Sequence, residues 1–321
     1  MVFIPEHTRD ALLPFSMQQQ VPTNGPIADY CRFYQLDFEQ RFTQYQHLCG
    51  FFEVAAYRLV VHCFYRAQSR GTVWILHGYL EHSGLYQHII PVLLANHYSV
   101  LIYDLPAHGL SSGARASINS FDDYQKVLQR LLMYFEDKLP QPYLGLGQST
   151  GGAILMEYAL NQAKLQQDSV FKDLFLLAPL VYPAKMQWLQ MKLAFWWFSS
   201  VRSGLPRLFK KNTNDEDFLR FMRDEDPLQA RWIPLSWLLA LKVWTDKIHR
   251  FAPCGQSVWI VQGGQDETVN GKYNVGFIKQ RFAVKQVLFL AQARHQLANE
   301  SAEYRQAIIE FLHQFLNDSR G

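Results

Sequence analysis

Gly147-Gln148-Ser149-Thr150-Gly151 decides how this chain is read, because of what flanks it. Before it, Tyr143-Leu144-Gly145-Leu146 has the apolar character of a short buried strand. After it, Gly152-Ala153-Ile154-Leu155-Met156-Glu157-Tyr158-Ala159-Leu160 has that of a helix. A serine between two glycines, squeezed between strand and helix, is the pattern of a nucleophile elbow. The turn is so tight that the serine takes a strained backbone, and side chains at the two flanking positions would collide with neighbouring elements. Ser149 Oγ should then stand above the sheet edge, at a helix N-terminus whose free N–H groups stabilise developing negative charge. The bland alternative is a structural Gly/Ser turn.

A serine hydroxyl is a poor nucleophile until a base takes its proton. In folds built around such an elbow the acid and then the histidine follow the serine. Ser257-Val258-Trp259-Ile260-Val261 reads as a strand and runs into Gln262-Gly263-Gly264-Gln265-Asp266, which sets Asp266 on a loop at a strand's C-terminal end. Glu267 is the neighbouring rival for the acid. Gln286-Val287-Leu288-Phe289-Leu290 reads as a last strand, followed by Ala293-Arg294-His295 and then a helix with Ala307, Ile308, Phe311, Leu312 and Phe315 on one stripe. With 11 histidines in the chain, a lone histidine is more often structural. His295 stands out because it follows both the last strand and a plausible acid.

Thr72-Val73-Trp74-Ile75-Leu76-His77-Gly78 is an apolar strand ending where an oxyanion loop is expected. The oxyanion donors should be the backbone N–H groups of Tyr79 and Thr150, with His77 structural rather than a base.

On these residues the chain resembles the α/β-hydrolase superfamily, in its lysophospholipase, monoacylglycerol lipase and serine aminopeptidase-like branch. His77-Gly78-Tyr79-Leu80-Glu81-His82-Ser83-Gly84-Leu85-Tyr86 is similar to that branch's His-Gly-x-x-Glu-His-Ser-x-x-Tyr segment. Asp104-Leu105-Pro106-Ala107-His108-Gly109-Leu110-Ser111 is similar to its Asp-x-x-Gly-His-Gly-x-Ser turn. Ser120-Phe121-Asp122-Asp123-Tyr124 resembles the helix start that follows, and Ala293-Arg294-His295-Gln296-Leu297-Ala298-Asn299-Glu300 the histidine segment. The resemblance implies an α/β-hydrolase fold with a mostly parallel central sheet, helices on both faces and an inserted α-helical cap. It implies Ser149 as nucleophile, Asp266 as acid, His295 as base, and Tyr79 and Thr150 as oxyanion donors. Two departures bear on the pocket. Gln148-Ser149-Thr150 replaces the His-Ser-Met frequent in relatives, and bulky Tyr79-Leu80 stands where many have a smaller pair.

At 321 residues the chain fits one large α/β domain with an insertion, and 49% hydrophobic residues supply the core. A net charge of +3 is too mild for a nucleic-acid footprint, which needs a clustered basic face. Cys31, Cys49, Cys63 and Cys254 show neither Cys-x-x-Cys spacing nor paired histidine ligands, so reduced cysteines and no metal are expected. No cofactor is implied. With no signal-peptide pattern and no apolar run long enough to span a bilayer, a cytoplasmic protein is expected, with oligomeric state open.

Four regions follow. Residues 1–50 read as an arm and a helix near 27–47, packed on the core. Residues 51–178 and 254–321 read as the two parts of the core, the first opening on a hairpin over 52–65. Residues 179–253 read as helices without strands and hold six of the 8 tryptophans. As a cap they would cover Ser149 and form an acyl pocket, with Trp196 and Trp197 as candidate substrate contacts. The run 188–198 reads as buried helix or as a peripheral membrane contact through the cap, with Arg202, Arg207, Lys210 and Lys211 nearby.

The expected reaction is serine hydrolysis of a carboxylic ester through an acyl-enzyme, on a lipid-like substrate such as a lysophospholipid or monoacylglycerol. Two readings compete. A proline-releasing aminopeptidase on the same core would need cap carboxylates, for which Asp215, Glu216, Asp217, Asp224, Glu225 and Asp226 are candidates. The other is a catalytically silent binding protein on this scaffold.

Overall fold

The computed structural model describes residues 3–184 and 204–319. Eight strands form one sheet: β1 (Gln46–Val54), β2 (Tyr57–Tyr65), β3 (Thr72–Leu76), β4 (Ser99–Tyr103), β5 (Tyr143–Gln148), β6 (Phe171–Leu177), β9 (Ser257–Gly263) and β10 (Ala283–Leu290). Their order is β1-β2-β4-β3-β5-β6-β9-β10. β2 runs antiparallel to both its neighbours, and every other pairing in this sheet is parallel. Strands β3, β4 and β5 are buried along their whole length, as expected of parallel strands covered on both faces. The sheet is the mostly parallel one of an α/β-hydrolase.

Helices close both faces because their apolar stripes have a sheet to cover. Phe121–Phe135 starts at Ser120, whose hydroxyl accepts the Asp122 N–H at 3.1 Å, and buries Tyr124, Val127, Leu128, Leu131 and Phe135. The helix Thr150–Lys164 follows β5 directly. The terminal helix Ala302–Asp318 sets Phe311 and Phe315 against Phe175 and Trp259 of β6 and β9.

The N-terminal part differs from the expected long helix. The arm carries a short helix, Pro5–Ala11, the expected helix covers only Pro26–Phe33, and β1 starts at Gln46, so the hairpin opens six residues before position 52. Gly50 lies inside β1. A Cβ there would meet Phe15 Cα at 2.7 Å, because the N-terminal arm crosses this strand. The crossing is sealed by Phe51 N–H donating to Leu13 O and Phe15 N–H to Phe51 O, both at 2.9 Å.

The insertion after β6 also departs from a helix-only pattern. Beside the helices Glu216–Arg220 and Leu235–Ile248 it carries an antiparallel ribbon, β7 (Gly204–Pro206) with β8 (Trp232–Pro234). Two prolines in strands of three residues suit an isolated ribbon better than a sheet.

Candidate active site

The turn after β5 forces Ser149 to φ +50° and ψ −109°, a conformation that costs a non-glycine residue about 1–3 kcal/mol. Hydrogen bonds over-determine it: Ser149 N–H donates to Leu177 O at 2.8 Å, and its carbonyl accepts Leu180 N–H at 3.1 Å. Both elbow glycines are required by space. A Cβ on Gly147 would lie 2.5 Å from Gly152 N, and one on Gly151 would fall on the Leu76 carbonyl oxygen.

Ser149, Asp266 and His295, on three separate loops, lie in one hydrogen-bonded chain. His295 Nε2 is 3.0 Å from Ser149 Oγ, and His295 Nδ1 is 2.8 Å from Asp266 Oδ2. The other carboxylate oxygen accepts Thr268 N–H at 2.8 Å and Val269 N–H at 3.0 Å. Gln262 Nε2 adds a bond to Oδ2 at 3.2 Å. Burial works to raise the Asp266 pKa, but the imidazole and these donors outweigh it and hold the carboxyl below its usual range. For His295 burial works downward, yet Asp266, with help from Glu81, outweighs it and lifts the imidazole above its ordinary value. A histidine flanked by a carboxylate on Nδ1 and a hydroxyl on Nε2 can take a proton from that hydroxyl.

Two neighbours escaped the sequence reading. Gln148 Nε2 donates to the His295 carbonyl at 2.9 Å and so anchors the histidine loop to the elbow. Glu81 is buried and accepts Gly78 N–H at 3.0 Å and the Tyr86 hydroxyl at 2.8 Å. It braces the Gly78–Glu81 turn, where Leu80 takes φ +66°. Gln148 was visible only as a departure from relatives, and Glu81 only as a letter in a resembling segment.

Among the described residues, the N–H groups of Tyr79 and Thr150 donate to no protein acceptor. Both residues line the same cavity as Ser149 and His295. His77 is scaffold: its Nε2 accepts Leu105 N–H at 2.9 Å, and burial pushes its pKa down to about 3. The Asp104–Ser111 turn is scaffold too. Asp104 accepts Ser83 N–H at 2.8 Å and Leu110 N–H at 2.7 Å, tying that turn to the loop after β3.

Over the serine, the described residues enclose a cavity of about 920 Å³. Its wall is largely apolar, with Leu180, Leu205, Met222, Ile233, Trp237 and Leu241. Trp237 stacks on Tyr79 with ring centroids 3.6 Å apart, which joins the helix Leu235–Ile248 to the loop after β3. Trp196 and Trp197, the expected substrate contacts, lie outside the described residues. No described helix is long and apolar enough to cross a membrane.

The chain resembles several known proteins. It is 30% identical to human monoglyceride lipase over 113 residues, 35% of this chain and 36% of that protein. It is 32% identical to the monoacylglycerol lipase of Mycolicibacterium smegmatis over 90 residues, 28% of this chain and 32% of that protein. These matches thus span only about a third of those relatives. A soluble variant of Saccharomyces cerevisiae monoglyceride lipase, solved with a substrate analogue, superposes with a TM-score of 0.70 at 18% identity, covering 84% of this chain and 94% of that one. The Paleococcus ferrophilus monoacylglycerol lipase superposes at 0.65 with 20% identity, covering 79% and 98%. Residues 67–302 match the family model described as Hydrolase_4, serine aminopeptidase S33, and the chain, with its mostly parallel sheet and strained serine elbow, belongs to that family of α/β-hydrolases.

Proposed function

We propose that this protein is a serine hydrolase that cleaves carboxylic esters with a long acyl chain, a monoacylglycerol or a lysophospholipid. Ser149 Oγ attacks the ester carbonyl while His295 Nε2 takes its proton. The tetrahedral oxyanion is held by the N–H groups of Tyr79 and Thr150. His295 returns the proton to the departing alcohol, leaving an acyl group on Ser149. A water then attacks the acyl carbonyl while His295 takes its proton, and as the fatty acid departs His295 returns that proton to Ser149 Oγ. Asp266 keeps Nδ1 protonated and stabilises the imidazolium.

The observation that carries the reading is the Ser149–His295–Asp266 chain opening into an apolar cavity. The cap acids disfavour an amine site. Asp226 is buried against His82, Tyr34 and Gln229, and none of the six cap acids lines the described cavity. Arg207, Lys210, Lys211 and Arg294 do line it, which suits a phosphate-bearing head group.

A panel of p-nitrophenyl esters of rising chain length, beside monoacylglycerol, lysophosphatidylcholine and a proline amide, tests this. Each methylene buried in the cavity should raise kcat/KM about fourfold, from roughly 0.8 kcal/mol per CH₂, until the cavity is filled. Trp237→Ala should flatten that rise. Faster turnover of the proline amide than of any ester, or a flat chain-length profile in the unaltered protein, would overturn the lipid-ester reading.

A further inference from the structure

At the sheet edge formed by the N-terminal hairpin, four side chains meet that the hydrolase site does not use. Cys49 on β1 pairs across to His62 on β2, so their side chains share a face, and His47, two residues before Cys49, joins them. Cys31 comes from the helix Pro26–Phe33 laid over that face. All four are buried. One ligand atom from each of Cys31, His47 and His62 lies within 4.8 Å of the others. His47 Nε2 is 3.0 Å from His62 Nδ1, and Cys49 Sγ is 3.7 Å from His62 Nε2.

We propose that Cys31, His47, Cys49 and His62 form a structural zinc site that clamps the N-terminal helix to the β1–β2 hairpin. Zinc bonds of about 2.0–2.1 Å to nitrogen and 2.3 Å to sulfur set tetrahedral edges of roughly 3.3–3.8 Å. His47 Nε2 and His62 Nδ1 already face one point with Cys31 beside them, whereas Cys49 Sγ lies against the other nitrogen of His62 and completes the set only once its side chain and the His62 ring turn toward that point. Two thiolates and two neutral imidazoles are the donor set that selects zinc among divalent ions. Binding sends the two thiol protons to solvent and leaves a neutral site, the form that burial favours.

A second observation points the same way. His47 Nδ1 and Glu39 Oε2 are both buried without a hydrogen bond among the described residues, although they face each other at 3.5 Å. Zinc on His47 Nε2 would fix the proton on Nδ1 and aim it at Glu39, the carboxylate-behind-histidine arrangement of metal sites. Sequence spacing hid the set, because its members come from a helix and two strands.

The test is the zinc content of the untagged full-length chain, produced with zinc and dialysed against metal-free buffer. The expected result is about one zinc per chain, below about a tenth in Cys31→Ser and in Cys49→Ser. Cobalt in its place should give the intense visible bands of a tetrahedral site and a thiolate charge-transfer band. A strong chelator should lower the Tm of the unaltered protein and leave the variants' Tm unmoved, while ester turnover at room temperature stays unchanged in all. Should the variants fail to fold, stoichiometry and the cobalt spectrum of the unaltered chain decide alone. Less than about a tenth of an equivalent of zinc, zinc retained by both variants, or a Cys31–Cys49 disulfide in the purified chain would overturn the site.

Discussion

Imidazole chemistry at His295 depends on which nitrogen holds the proton and how readily a second one binds. Asp266 on Nδ1 fixes the first and raises the pKa governing the second. Only the neutral ring can accept the serine proton, so kcat/KM should rise with pH along a single limb centred above about 6.5, the free-imidazole value. Asp266→Asn should cost about 10⁴-fold in turnover with little loss of stability. In that variant burial acts on His295 without its counter-charge, so the limb of the residual activity should move to lower pH. A pH–rate series on both proteins checks this. If Glu267→Gln is instead the crippling change, the acid is one residue further along.

The insertion after β6 is held to the elbow helix through a buried carboxylate. Glu157 on the elbow helix accepts Trp244 Nε1–H at 2.8 Å and Lys247 Nζ at 2.6 Å, both from the helix Leu235–Ile248. Burial pushes the Glu157 pKa up, and Lys247 pulls it back only in part. Lys247→Met should therefore destabilise the protein by about 1–2 kcal/mol, a figure kept low because the ammonium is partly exposed. The folded variant would hold the Glu157 proton more tightly than the unfolded chain does. Its stability should then fall as pH rises from the unfolded carboxyl range through the raised folded value. Denaturant melts at pH 5 and pH 8 measure this, and equal losses at both would contradict it.

At this same scale the elements differ in how plainly the sequence marks them. Strands β3, β4, β5, β6 and β9 were legible because burial on both faces makes them continuous apolar runs. Gly50 misled because glycine usually punctuates, whereas here it lets the arm cross a strand. The β7–β8 ribbon was invisible because three-residue strands carry no period. Glu81, Gln148 and Gln262 act through contacts made by distant loops, which no local pattern reports.

Across the whole molecule, chain order does most of the work. A parallel sheet brings the C-terminal ends of β3, β5, β9 and β10 to one edge, so four loops spread from Tyr79 to His295 converge on a single point. The insertion after β6 then roofs that point with apolar side chains. We propose that this convergence makes Ser149 a nucleophile. Fluorophosphonate labelling of the folded protein, followed by peptide mapping, tests it most directly. One residue, Ser149, should be phosphonylated, with labelling and ester turnover both abolished in a folded Ser149→Ala protein. A label on another serine, no label on the native chain, or turnover surviving in Ser149→Ala would contradict it.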